Sequence, residues 1–93
     1  MPLMKHTSPL TILCSSWIPD NRLQIHPNEG SDLGLMMTRY SVSIGDDLAI
    51  ELLLLNDCPT GSVEIGPRFW ERLGKPARAI LSYDGERLRI ERA

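Results

Sequence analysis

Two cysteines, two histidines and one pair of adjacent aspartates are the side chains of this 93-residue chain that could carry chemistry. Cys14 and Cys58 are too far apart in sequence to form a CxxC pair or a metal-ligand cluster. They read as ordinary buried thiols of a reduced chain, since disulfides are rare in small cytosolic proteins. His6 and His26 are isolated, and a metal site needs several ligands at close spacing. Cys14 with His26 could form a nucleophile and base, but neither residue lies in a recognisable catalytic motif. Asp46 and Asp47 are neighbours. In a strand they would face opposite ways, so they read as a turn and not as an acid/base pair. The stretch "GSVEIG", residues 61–66, lacks the Lys-Ser/Thr that a phosphate-binding loop needs. The residues therefore predict no catalytic site, no metal and no cofactor, and an enzyme is not expected.

Charge is more informative. Residues 1–67 hold 3 Lys/Arg against 8 Asp/Glu, a net of −5, whereas residues 68–93 hold 7 against 4, a net of +3. A basic segment inside an acidic chain can mark a face for nucleic acid or for an acidic partner. Arg68, Arg72, Lys75, Arg78, Arg87 and Arg89 are the candidate nucleic-acid-binding residues. Such side chains would contact phosphates, giving a salt-dependent and largely sequence-independent affinity. The opposing expectation is that they are the solvated faces of a helix and a hairpin, with Arg78 paired to Glu91.

These residues need elements to hold them. No internal repeat or low-complexity tract stands out on reading the chain through. "PLTILC" predicts a short strand, "SSWIPDN" a turn, and "RLQIH" a strand with Leu23 and Ile25 on one face. "PNEGSD", residues 27–32, is the clearest loop of the first half and marks a boundary. It separates an N-terminal arm with short strands, 1–32, from a domain over 33–93, within one compact unit. Met36 and Met37 are expected in the core. "YSVSI" alternates, "GDD" at 45–47 turns, and "LAIELLLL" becomes continuously apolar from Leu52 to Leu55. Such a strand should be covered on both faces, and a second subunit could supply the cover.

The stretch "GSVEIGPRFWERLGK" is punctuated at both ends. Gly66 suits an N-cap, Pro67 the first helical position and Gly74 the C-terminal stop, so a short helix spans 67–74. Phe69, Trp70 and Leu73 form its apolar side. The closing "ARAILSY-DG-ERLRIER" predicts a hairpin with Asp84-Gly85 as a two-residue turn. That turn sets Tyr83 opposite Glu86, Leu81 opposite Leu88, Ala79 opposite Ile90 and Arg78 opposite Glu91. Ala79, Leu81, Leu88 and Ile90 then share an apolar face.

Over residues 48–93 the order strand, turn, "G-x-V-x-I", short helix ending "L-G", strand, "D-G", strand resembles the AbrB/MazE swapped-hairpin family of small DNA-binding regulators and antitoxins. Gly61, Val63, Ile65, Phe69, Leu73, Gly74 and the tail "YDGERLRIE" carry the likeness. SymE-like toxins share this pattern. The resemblance implies an intertwined homodimer whose hairpins exchange between subunits, and DNA contact through a basic first hairpin. Here that hairpin, "ELLLLNDCPTGS", has no Lys or Arg. A second likeness is to CsrA-type RNA-binding strands, through "TRYSVSIGDDLAIEL" and "GSVEIG".

The expected fold is therefore a β-rich α+β chain. It is a small swapped-hairpin, β-barrel-like domain with one short helix and an N-terminal β-containing arm. The expected function is that of a dimeric DNA-binding transcriptional regulator or antitoxin. A protein-binding inhibitor or adaptor, whose partner is a toxin or an inhibited target, is the alternative, and a CsrA-like RNA regulator is a weaker one. No apolar run approaches the roughly 20 residues of a membrane span. The five-residue apolar run Leu10 to Cys14 is short for a secretion signal, so a cytoplasmic, membrane-free protein is expected.

Overall fold

A computed structural model describes residues 5–44 and 48–93. The turn expected at 45–47, with Asp46 and Asp47, lies outside the described residues. The elements run β1 (Lys5–His6), β2 (Leu10–Cys14), β3 (Arg22–Ile25), α1 (Pro27–Asp32), β4 (Arg39–Ile44), β5 (Leu48–Leu54), β6 (Ser62–Ile65), α2 (Pro67–Arg72), β7 (Arg78–Tyr83) and β8 (Leu88–Arg92). The chain is a small β-rich domain, as expected.

All the strands belong to one curled sheet. Along it β1 and β2 share one side of β7, and the order continues β2, β6, β3, β5, β4, with β8 on the other side of β7. The two edges meet at a parallel bridge from Ser43 of β4 to Arg87, just before β8. Alternation places Leu10, Leu23, Ile25, Val42, Ile50, Leu52, Leu54, Val63, Ile65, Leu81 and Leu88 in one core on the inner face.

The chain contains an internal repeat, contrary to expectation. At an offset of 40 residues, "I-x-P" at Ile25 and Pro27 recurs at Ile65 and Pro67, and "L-G" at Leu33 and Gly34 recurs at Leu73 and Gly74. Each half folds as strand, strand, helix, strand: β2-β3-α1-β4, then β5-β6-α2-β7. The halves interlock. β2 pairs in parallel with β6, β5 pairs in parallel with β3, and β3 and β6 run antiparallel between them. Loop bonds repeat too: Thr11 N–H donates to Gly61 O at 2.9 Å, and Glu51 N–H to Asn21 O at 2.8 Å.

"PNEGSD" is thus a helix, α1, and not the expected loop. Pro27 occupies its first turn, the His26 ring accepts the Asn28 N–H at 3.1 Å, and Gly34 takes φ +75° just past its end. Both helices close with the same pair of bonds. Leu35 N–H donates to Gly30 O at 2.8 Å and Gly34 N–H to Ser31 O at 3.0 Å; Lys75 N–H donates to Trp70 O at 2.9 Å and Gly74 N–H to Glu71 O at 3.0 Å. Gly30 packs against Leu54, whose side chain would have to move to admit a Cβ there. Residues 10–32, expected in an arm, supply two interior strands and this helix.

The continuous apolar run is buried within one chain from Leu52 to Leu54, while Leu55 is half-buried. β5 lies between β3 and β4, and Leu52, Leu53 and Leu54 are all buried. Burial of this strand therefore requires no second subunit. Met36 and Met37, by contrast, are 94% and 64% exposed and lie outside the core. The N–H groups of both residues donate to the Tyr40 hydroxyl, at 2.8 and 2.9 Å.

The closing hairpin forms two residues out of the expected register. Tyr83 faces Leu88, Leu81 faces Ile90, Ala79 faces Arg92, and Glu91 faces Ile80 instead of Arg78. The corner is Gly85-Glu86, because the Asp84 carboxylate accepts the Glu86 and Arg87 N–H groups at 2.9 and 2.7 Å. Gly85 has φ +100°, and no positive φ occurs at Asp84, so glycine takes the first corner position as in a II′ turn. A shift of two preserves the faces, so Ala79, Leu81 and Leu88 still point into the core.

Candidate nucleic-acid interface

Sheet register decides which cations meet. Cys14 at the end of β2 lies beside Ile65 at the end of β6. The β2–β3 loop, residues 15–21, and α2 therefore leave the sheet at the same end. They pack closely: a Cβ on Gly66 would stand 2.5 Å from the Ile18 carbonyl oxygen. The guanidinium of Arg68 pairs with Asp20 of that loop at 3.6 Å. Both groups are exposed, so the pair contributes at most about 1 kcal/mol.

Arg72 lies four residues on from Arg68, on the same side of α2. Lys75 follows in a left-handed conformation, φ 53°, with its ammonium 5.8 Å from the centre of the Trp70 ring. Trp70 is itself held, since its indole N–H donates to Pro76 O at 2.9 Å. β7 begins at this end with Arg78, opposite Thr11. β8 returns to it, and the Arg92 Nη1 lies 3.7 Å from where a Cβ on Gly74 would sit. Arg92 was not among the residues singled out by sequence. The hairpin sets it opposite Ala79, near the start of β7.

Of the six expected residues, the structure gathers Arg68, Arg72, Lys75 and Arg78 at one end. Arg89 is opposite Ser82 on the outer face of the hairpin. Arg87 lies at the far end, where its backbone N–H is bound to Asp84. The expected Arg78–Glu91 pair is absent, because the register separates the two residues. Among the described residues, Arg72, Arg78, Arg89 and Arg92 make no ion pair with a carboxylate. All four are exposed.

Trp17 is the other feature that sequence reading missed. It sits in the 15–21 loop with 66% of its surface exposed. The place of its loop beside α2 depends on the parallel β2–β6 pairing, for which a local motif gives no signal.

The remaining groups capable of chemistry lie elsewhere. Cys14 is exposed, contrary to the expectation of two buried thiols, whereas Cys58 is buried. Burial, with the nearby Glu64 carboxylate, pushes the Cys58 thiol up to about 12. Glu29 is also buried; one of its oxygens accepts the Gly61 N–H at 3.1 Å, and the other has no partner. Among the described residues, no group of three or more His, Cys, Asp or Glu could hold a metal ion. A shallow cleft of about 210 Å3 at the opposite end is lined by Lys5, Leu33, Gly34, Tyr83, Asp84 and Gly85. Among the described residues, no helix is long and apolar enough to cross a membrane.

No family model, no curated protein and no solved structure matches this chain.

Proposed function

We propose that this protein is a small nucleic-acid-binding regulator or antitoxin that contacts DNA through the α2 end of the sheet. One observation carries the reading. Arg68, Arg72, Lys75, Arg78 and Arg92 converge there from a helix and two strands, although the whole chain has a net charge of −2. Of these, Arg72, Arg78 and Arg92 make no ion pair with a carboxylate among the described residues and are available to phosphates, whose binding releases counterions. The resemblance of residues 48–93 to the swapped-hairpin regulators supports the same reading. The two halves pair with each other within one chain, and one chain is the proposed binding unit.

The test is a gel-shift titration with a mixed-sequence duplex over a salt series. Binding that weakens steeply with salt, and that an Arg72→Glu/Arg78→Glu double reversal abolishes, is the expected result. Absence of any retarded band at low salt overturns the reading.

Met36 and Met37 favour a second reading, a protein-binding module. They lie at the opposite end of the sheet, after α1, and expose apolar side chains that the fold leaves unused. A partner that survives nuclease treatment, and that is lost on Met36→Ser/Met37→Ser but kept in the Arg72→Glu/Arg78→Glu variant, would establish it.

A further inference from the structure

We infer that the α2 end is built for single-stranded nucleic acid, with Trp17 as a stacking platform for a base. This rests on the proposed nucleic-acid reading and specifies the substrate class of that site. Trp17 is a large apolar side chain that the fold leaves 66% exposed. It is the only exposed aromatic among the described residues. Its loop is fixed in place rather than loose: Ser15 N–H donates to Ile65 O at 2.9 Å, and Ile18 N–H to Ser15 O at 3.2 Å. Ile18, next to Trp17, is 2% exposed and anchors the loop in the fold. The indole is therefore presented by a supported turn.

The charges at this end of the sheet fit a strand of phosphates. Asp20, the acidic residue of the loop, is already paired with Arg68. Arg72, four residues on, extends that side of α2 with Glu71 as its acidic neighbour, and Lys75 and Arg92 follow at the helix end. Proteins that hold single strands combine these two features, a basic track for the backbone and an aromatic face for a base. A duplex keeps its bases stacked inside, so it could use the cations but not the indole face.

The experiment measures fluorescence anisotropy of two labelled probes at low salt, a twelve-nucleotide oligothymidine and a twelve-base-pair mixed duplex. The intact chain and its Trp17→Ala, Trp17→Phe and Arg72→Glu variants are compared, each checked for native circular dichroism. Trp17→Ala should weaken oligothymidine binding about tenfold, the scale of one lost base stack. Duplex binding should change less than about twofold, and Trp17→Phe should retain most of the single-strand affinity. Arg72→Glu should weaken both probes. If Trp17→Ala leaves oligothymidine binding unchanged while the duplex still binds, the stacking inference fails and the DNA-binding reading stands. If the intact chain binds neither probe, both fail.

Discussion

Gln24 and Glu64 stand directly opposite each other across β3 and β6, and each is the other's counterpart 40 residues away. A residue that faces its own repeat image marks the pseudo-two-fold axis of the molecule. Around that point each half lends its first strand to the second strand of the other half. The interior strands β2, β6, β3 and β5 are thereby paired on both sides within one chain. The edges meet at the bridge from Ser43 of β4 to Arg87, just before β8.

The first prediction concerns oligomeric state. The apolar run Leu52–Leu54 is already buried within one chain, so this strand supplies no hydrophobic drive for pairing with a second one. Light scattering coupled to size exclusion should report the monomer mass of 10.5 kDa. A mass of twice that value at micromolar concentration would show that another surface drives association.

Gly66 is the second. Its φ of −80° suits any residue, so only space restricts it. A Cβ would lie 2.5 Å from the backbone oxygen of Ile18, which cannot move without shifting the 15–21 loop. Gly66→Ala should cost about 1–3 kcal/mol, the usual scale of overpacking. The urea midpoint measures it. The same variant should disturb Trp17, so its fluorescence spectrum should change with the loss of stability.

How much of this was legible follows from the range of each signal. α2 was readable because Gly66, Pro67 and Gly74 punctuate it locally. α1 has the same punctuation in Pro27 and Gly34, but its Asn, Gly, Ser and Asp read as a loop. Comparison with the segment 40 residues later would have exposed it. The hairpin's faces were readable from alternation, whereas its register was not. Asp84-Gly85 was expected at the corner, but the Asp84 carboxylate binds two N–H groups and moves the corner by one residue. Arg68, Arg72 and Lys75 were legible from helical spacing. Trp17 and Arg92 were not, since each reaches the site through a partner more than ten residues away in sequence.

Asp84 makes the third prediction, one of pH. Hydrogen bonds from the Arg87 and Glu86 backbone N–H groups hold its carboxyl below the usual value of 3.8. A carboxyl that binds its proton less readily when folded stabilises the fold above its unfolded value. That contribution is lost as pH falls through the lower folded value. Asp84→Ala should therefore be less stable than the parent at neutral pH, and thermal melts of the two should converge below pH 3.8. A gap that stays constant down to the acid limit would mean that the charge on Asp84 plays no part in holding the turn.

Cys58 gives the last prediction. It is 2% exposed, with its Sγ 3.5 Å from Gln24 O, while Cys14 is exposed on the end of β2. The thiolate is the reactive form, and burial together with Glu64 raises Cys58 from 9.0 to about 12. A disulfide reagent at pH 8 should therefore modify Cys14 quickly and Cys58 only after denaturant is added. In Cys14→Ser the native protein should give almost no fast phase. The same shift has a thermodynamic consequence with a definite sign. Between 9.0 and about 12 the unfolded chain loses the Cys58 proton while the folded chain keeps it. The neutral thiol's contribution is therefore complete below 9.0 and falls away as pH rises towards 12. Cys58→Ala should flatten that part of the stability profile, despite the small cavity it leaves. If Cys58 in the native chain reacts as fast as Cys14, the loop that carries it opens freely from Gln24.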